Sequence, residues 1–157
     1  PTGKDLEAAL KASSSMPFFS APQDTPAGKC LDGGVANSIP FDLALSQGFD
    51  KVIVVRTRPR DYRKKPTGRV LKEMLERSFK DYPAFAQAAI NRPAMYNAQV
   101  AALDQLEAAG KAYVLAPDNL IKVGRLENNT KKLAELYHQG MAQAEDLLPE
   151  IIDYLEK

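Results

Sequence analysis

KCLDGGVANSIPFDLALSQGFDKVIVV, residues 29–55, is the stretch on which the fold turns. It joins a short strand, an Asp-Gly-Gly corner, a helical pattern and an apolar strand. Lys29-Cys30-Leu31 reads as the second arm of a hairpin. Phe18–Pro22 is its extended first arm, and Asp24-Thr25-Pro26-Ala27-Gly28 supplies dense turn chemistry between them. Asp32 lies at the end of that hairpin. Ser38 can cap a helix beginning near Pro40, where a missing N–H costs nothing, and Gly48 supplies its stop. Lys51–Val55 is apolar without interruption after its lysine, which suits a parallel strand buried on both faces. In open α/β sheets ligands bind at strand ends, so a carboxylate there is a candidate for chemistry. The plain alternative is an Asp-Gly turn.

Upstream, Thr2-Gly3-Lys4-Asp5 has the spacing of a capping box, and Leu6, Ala9 and Leu10 follow at helical intervals. The pattern predicts a helix over about 3–13, closed by Ser13–Pro17 because a residue before proline disfavours helix. Downstream, Thr67 can cap a helix to about Tyr82. An alanine-rich tract with apolar points at Phe85, Ala89, Met95, Val100, Leu103 and Leu106 extends to Ala109, with a break at Asn91-Arg92-Pro93. Gly110 ends it, Ala112–Ala116 is a strand, and 117–129 is loop-like. Thr130 caps a last helix interrupted near Pro149, whose Leu133, Leu136, Tyr137, Met141, Leu147 and Leu148 make an amphipathic element that closes the domain. Strands alternating with helical crossovers argue for an α/β layer structure.

The 157 residues are enough for one domain with its own core, at 45% hydrophobic and 26% charged. A net charge of +1 gives the whole molecule no electrostatic argument for nucleic acid. One cysteine, Cys30, excludes an internal disulfide, and one histidine beside it in the count makes a metal site improbable. No apolar run is long enough to span a bilayer. A cytoplasmic protein is expected, with peripheral membrane contact open. The chain begins at Pro1 without a methionine, so a lack of targeting signals excludes nothing upstream.

The run Ala12-Ser13-Ser14-Ser15-Met16-Pro17-Phe18-Phe19, the hairpin, and Leu31-Asp32-Gly33-Gly34-Val35-Ala36-Asn37-Ser38-Ile39-Pro40 together closely resemble the C-terminal half of bacterial patatin-like phospholipases. The similarity continues through Lys51–Arg56 and Thr57-Arg58-Pro59-Arg60, and more loosely to Ala116-Pro117. It implies a partial three-layer α/β fold: a mostly parallel sheet flanked by helices, with a C-terminal helical region. Residues 1–57 would be the part of the catalytic core carrying the Asp-Gly-Gly motif, 58–110 a basic loop and helical region, and 111–157 the final strand and helices, all in one continuous, truncated domain.

The resemblance also implies a chemistry. Family members hydrolyse acyl esters of lipids with a serine on a G-x-S-x-G elbow and an aspartate as its base, without histidine or cofactor. The aspartate maps onto Asp32, and Gly33 and Gly34 complete the motif. A carboxylate becomes a better base in an apolar pocket, which Leu31, Val35 and Ile39 could furnish. The sequence contains no G-x-S-x-G and no glycine-rich oxyanion loop. The nucleophile is therefore expected in a missing N-terminal half, and the isolated chain is expected to be inactive. Ser13, Ser14 and Ser15 lack a glycine elbow and read as helix-closing residues. Cys30 reads as a small half-buried residue pointing to the same side as Asp32, and His138 as a residue that packs or faces solvent.

Seven cations and one acid lie between Arg56 and Arg69. Arg56, Arg58, Arg60, Arg63, Lys64 and Lys65 are candidates for contact with anionic head groups. A solvated loop is the other reading. The alternative to a hydrolase is a non-catalytic scaffold, or a module that binds a membrane or a partner. In either case a domain lacking its first strands exposes a sheet edge, which predicts self-association or a retained N-terminal fragment.

Overall fold

The computed structural model describes residues 3–118, 123–124 and 127–157. Thr2 of the expected capping box and part of the 117–129 loop lie outside these. The chain is mixed α/β, with helices α1 (Gly3–Ser13), α2 (Phe41–Ser46), α3 (Arg69–Ser78), α4 (Pro83–Ala108) and α5 (Thr130–Glu156). Its strands are β1 (Gln23–Thr25), β2 (Gly28–Cys30), β3 (Val52–Val55) and β4 (Ala112–Leu115). They form two separate two-stranded sheets among the described residues, rather than one mostly parallel sheet: β1 with β2 antiparallel, and β3 with β4 parallel.

The chain divides into two compact units of interleaved segments, Pro1–Pro40 with Arg63–Val100, and Phe41–Tyr62 with Ala101–Lys157. In the first, α1 ends where Ser14 and Ser15 turn their hydroxyls back onto carbonyls of the last turn. The hairpin pairs Gln23 with Cys30 and Thr25 with Gly28. Asp24 and Thr25, expected in the turn, are thus strand, and Pro26-Ala27 alone form the bend. Gly28 follows at φ +100°, a conformation that suits glycine. Phe18–Pro22 is not the first arm. Phe19 and Ser20 donate backbone hydrogen bonds to Met16, and Phe18 adopts φ +69°. Phe18 packs on Phe79, and Phe79 on Phe85, with ring centroids 5.7 and 4.6 Å apart. Ala12, Val35, Ile39, Leu75, Ala86, Tyr96 and Val100 are buried in this unit.

Thr67 does not cap α3. Gly68 holds the cap position with no side-chain bond, and the Thr67 hydroxyl donates to the Ile90 carbonyl at 2.8 Å. Neither proline interrupts its helix: α4 runs through Pro93, and α5 through Pro149. A proline removes one N–H and crowds the preceding turn, but leaves the remaining helical bonds intact.

In the second unit, β3 and β4 align Val52 with Ala112 and Val55 with Leu115. Val52, Ala112, Val114, Ala116 and Leu103 are buried. The other face of β3 is open, with Ile53 40% and Val55 73% exposed, so β3 is not buried on both faces. Side chains from α5 reach the sheet at Tyr113, whose ring centroid lies 5.6 Å from that of Tyr154 and whose hydroxyl donates to Glu150. Asn129, not Thr130, caps α5 by accepting the amides of Lys131 and Lys132. The expected apolar stripe is present, but Leu133, Leu136, Tyr137, Met141 and Leu148 are exposed and no residue of α5 is fully buried. The helix therefore does not close a core as its periodicity suggested. No described helix is long and apolar enough to cross a membrane.

Candidate functional site

Asp32 follows β2 by two residues and caps a single 3-10 turn, Gly33–Val35. Its amide donates to the Ser15 carbonyl at 2.8 Å, which ties the corner to the end of α1. Its Oδ1 accepts the Gly34 amide at 2.7 Å. This is the local Asx geometry that favours aspartate before a tight turn. The side chain is half-buried beside buried Val35 and Ile39 in sequence and half-buried Leu31. Among the described residues, the Gly34 amide is the only hydrogen-bond donor to the carboxylate, and no serine hydroxyl or cation pairs with it.

The loop after Asp32 is clamped by α4. Arg92 Nε donates to the Gly34 carbonyl at 2.8 Å, and the Ser38 hydroxyl donates to the same oxygen at 2.8 Å. One heptad on, Gln99 takes the Ile39 amide at 3.1 Å, and its own amide reaches Asn37 Oδ1 at 2.5 Å and the Ile39 carbonyl at 3.2 Å. Ser38 thus braces the Asp32 loop instead of capping α2. Gly34 is held tightly: a Cβ there would meet Asp32 Oδ1 at 3.0 Å and Arg92 Nη2 at 3.4 Å, whereas one at Gly33 would meet nothing within 4 Å. Arg92 and Gln99 were not singled out in the sequence. The available signal was two polar residues seven apart, hence on one face, in an alanine-rich helix.

Pro22, Leu31, Phe79, Tyr82 and Phe85 line a shallow cleft of about 70 Å³, with Lys29 beside them. A cavity of ~150 Å³ holds benzene, so this space takes no lipid chain without opening. Lys29 is paired with Asp24 at 3.0 Å. The Cys30 thiol lies 3.2 Å from the Thr25 hydroxyl. His138 is exposed, its ring against Tyr137 at 5.5 Å between centroids. No cluster of metal-ligating side chains occurs among the described residues.

The cations of 56–65 have different surroundings. Arg56 is buried, and its guanidinium donates to the carbonyls of Pro59 and Arg60. Arg58 stacks on Tyr62 at 5.2 Å. Arg60 makes a two-toothed contact with Glu107, at 2.6 and 2.9 Å, and also donates to the Val114 carbonyl at 2.6 Å. The guanidinium beside Glu107 holds that carboxyl below its ordinary range, against a partial desolvation that acts the other way. In the other unit, Lys64 lies over the Tyr96 ring at 4.3 Å while Asn97 brackets its backbone, and Arg63 and Lys65 are exposed.

Residues 82–156 match a family model described as Domain of unknown function (DUF6363). The match takes in all of α4, β4 and α5, and so includes Arg92, Gln99 and Glu107 but not Asp32. No curated protein and no solved structure matches the chain.

Proposed function

We propose that this chain is the aspartate-bearing part of a patatin-like lipid acyl hydrolase, in which Asp32 is the base for a serine supplied from outside residues 1–157. The observation that carries the reading is the Asp32 carboxylate itself. One oxygen is fixed by the Gly34 amide, and the second has no partner among the described residues. That leaves a lone pair to take the proton of a serine hydroxyl as it attacks an ester carbonyl. The clamp from Arg92 and Gln99 keeps the loop in one place while the proton moves. Ser14 and Ser15 are engaged with helix carbonyls, which supports a nucleophile from elsewhere. On this reading the mixed α/β fold is a partial patatin-like layer structure, and the substrate is a carboxylic ester of a lipid or phospholipid.

A binding module docking through residues 56–65 has less support. Two of those arginines, Arg56 and Arg60, already satisfy carbonyls and a carboxylate within the protein.

The test is Asp32→Asn in the whole hydrolase, assayed on a p-nitrophenyl ester. Asparagine keeps the acceptor for the Gly34 amide and removes the base. Turnover is expected to fall by at least about 10²-fold, the usual contribution of a positioned base, with an unchanged melting temperature. Undiminished turnover would remove Asp32 from the mechanism.

A further inference from the structure

The two edges of the β3–β4 sheet are not equivalent. On β3, the amides of Val52 and Arg56 donate to the carbonyls of Lys111 and Leu115 at 3.1 and 2.7 Å. Strand alternation turns Val54 the same way and directs the amides and carbonyls of Ile53 and Val55 to the far edge. No further strand pairs there among the described residues. On β4 the same alternation turns Val114 and Ala116 outward, and that edge is closed by side chains. Glu107 Oε1 accepts the Val114 amide at 3.1 Å, and Arg60 Nη2 donates to the Val114 carbonyl at 2.6 Å. Gln143 donates to the Ala116 carbonyl at 2.7 Å. A carboxylate and a guanidinium, joined to each other, occupy the places that the carbonyl and amide of a neighbouring strand would take.

Among the described residues, the β3 edge has no such guard. Val52–Val55 carries no charge or proline, the devices that usually blunt an edge, and Ile53 and Val55 expose their side chains on one face. The backbone pattern is also self-complementary. A two-fold axis brings identical edges together only antiparallel, and an axis through Val54 sets each outward-facing residue opposite another.

We propose that the outer edge of β3 is a strand-acceptor site, and that its occupant is β3 of a second copy of this chain. Ile53 exchanges both backbone hydrogen bonds with Val55 of the second copy, Val55 does the same with Ile53, and Val54 faces its counterpart across the axis. The exposed Ile53 and Val55 side chains of the two copies become cross-strand neighbours on one face, which removes apolar surface from water. The resulting strand order is β4-β3-β3-β4. Both outer edges are then the guarded ones, so the assembly stops at a dimer. This inference does not depend on the proposed hydrolase.

The experiment is sedimentation equilibrium of residues 1–157 across the micromolar range, with amide exchange on the same samples. A monomer–dimer equilibrium is expected, with the Ile53 and Val55 amides protected in the dimer and released on dilution. Ile53→Lys/Val55→Lys sets like charges opposite one another and is expected to be monomeric. Both positions are exposed, so its circular dichroism should match the parent. A monomer with unprotected amides at Ile53 and Val55 would overturn the proposal. A monomer in which they are protected would also overturn it, and would assign the edge to another strand of the same polypeptide. Dimerisation undiminished in the double variant would place the interface elsewhere.

Discussion

Gly34 carries more of the Asp32 corner than its neighbour does. Its missing side chain makes room for both the carboxylate and the Arg92 guanidinium. Gly34→Val is expected to displace one of them, lowering the melting temperature and, in an active hydrolase, the turnover. Gly33→Ala has open space and no positive φ, so its stability should stay within about 0.5 kcal/mol of the parent. Chemical denaturation of the pair checks both outcomes. Equal losses would mean that close approach at Gly34 is not what the corner needs. Asp32 was legible in the sequence because its geometry is local: an aspartate followed by two glycines bonds its own turn. Arg92 and Gln99 were not, because their partners lie about sixty positions away and nothing near Pro93 announces them. Ser14 and Ser15 were read correctly as helix-closing for the same local reason, while Ser13 is the last residue of α1 itself.

At the level of elements, α1, the second arm of the hairpin, and the approximate extents of α3, β3 and β4 followed from helical periodicity, glycines and apolar runs, whereas the hairpin's first arm and the caps expected at Ser38, Thr67 and Thr130 were misplaced. The prolines misled. Pro93 has Arg92 beside it and Gln99 two turns on, both fixed to the 34–39 loop, so tertiary contacts hold the helix on that side of the proline and beyond it. Those contacts offset a local cost of ~3 kcal/mol. The burial of β3 was misjudged because an apolar run reports what a strand could bury, not whether a neighbour is present. The guard on β4 was likewise invisible, since it needs Arg60, Glu107 and Val114 brought together by the fold.

That guard depends on pH. Arg60 holds the Glu107 carboxyl below its ordinary value of 4.5, helped by the Val114 amide and by Arg56, while Asp104 and Tyr113 act on Arg60. A depressed carboxyl contributes stability that is fully present above that ordinary value and is lost as pH falls through the folded-state value. The fork is also partly exposed to solvent, so its contribution is modest. Light scattering is expected to show assemblies larger than a dimer only as pH falls through the lowered folded-state value of Glu107, below 4.5, when β4 loses its guard. Glu107→Ala should produce the same species at neutral pH. A variant that stays dimeric there would mean that the ion pair does not block the edge.

For the molecule as a whole, the alternation of strand and helix patterns correctly pointed to a mixed α/β chain. The exposed apolar residues of β3 and α5 show surface left uncovered by the chain's own packing. The path of the backbone has its own consequence. It passes from one unit to the other after Pro40, after Tyr62 and after Val100, so each unit is assembled from two separate stretches. A protease that cuts once after exposed Arg63 leaves pieces that each hold a share of both units. The cleaved protein is expected to migrate as two bands under denaturing conditions and as one species in its native state. Reunion of separately purified fragments should restore the native circular dichroism. Fragments that drift apart after the cut would mean that the contacts within each unit are too weak to replace the peptide bond. If they hold, covalent continuity at that point is dispensable, and the chain can be opened there to receive new termini or an inserted sequence.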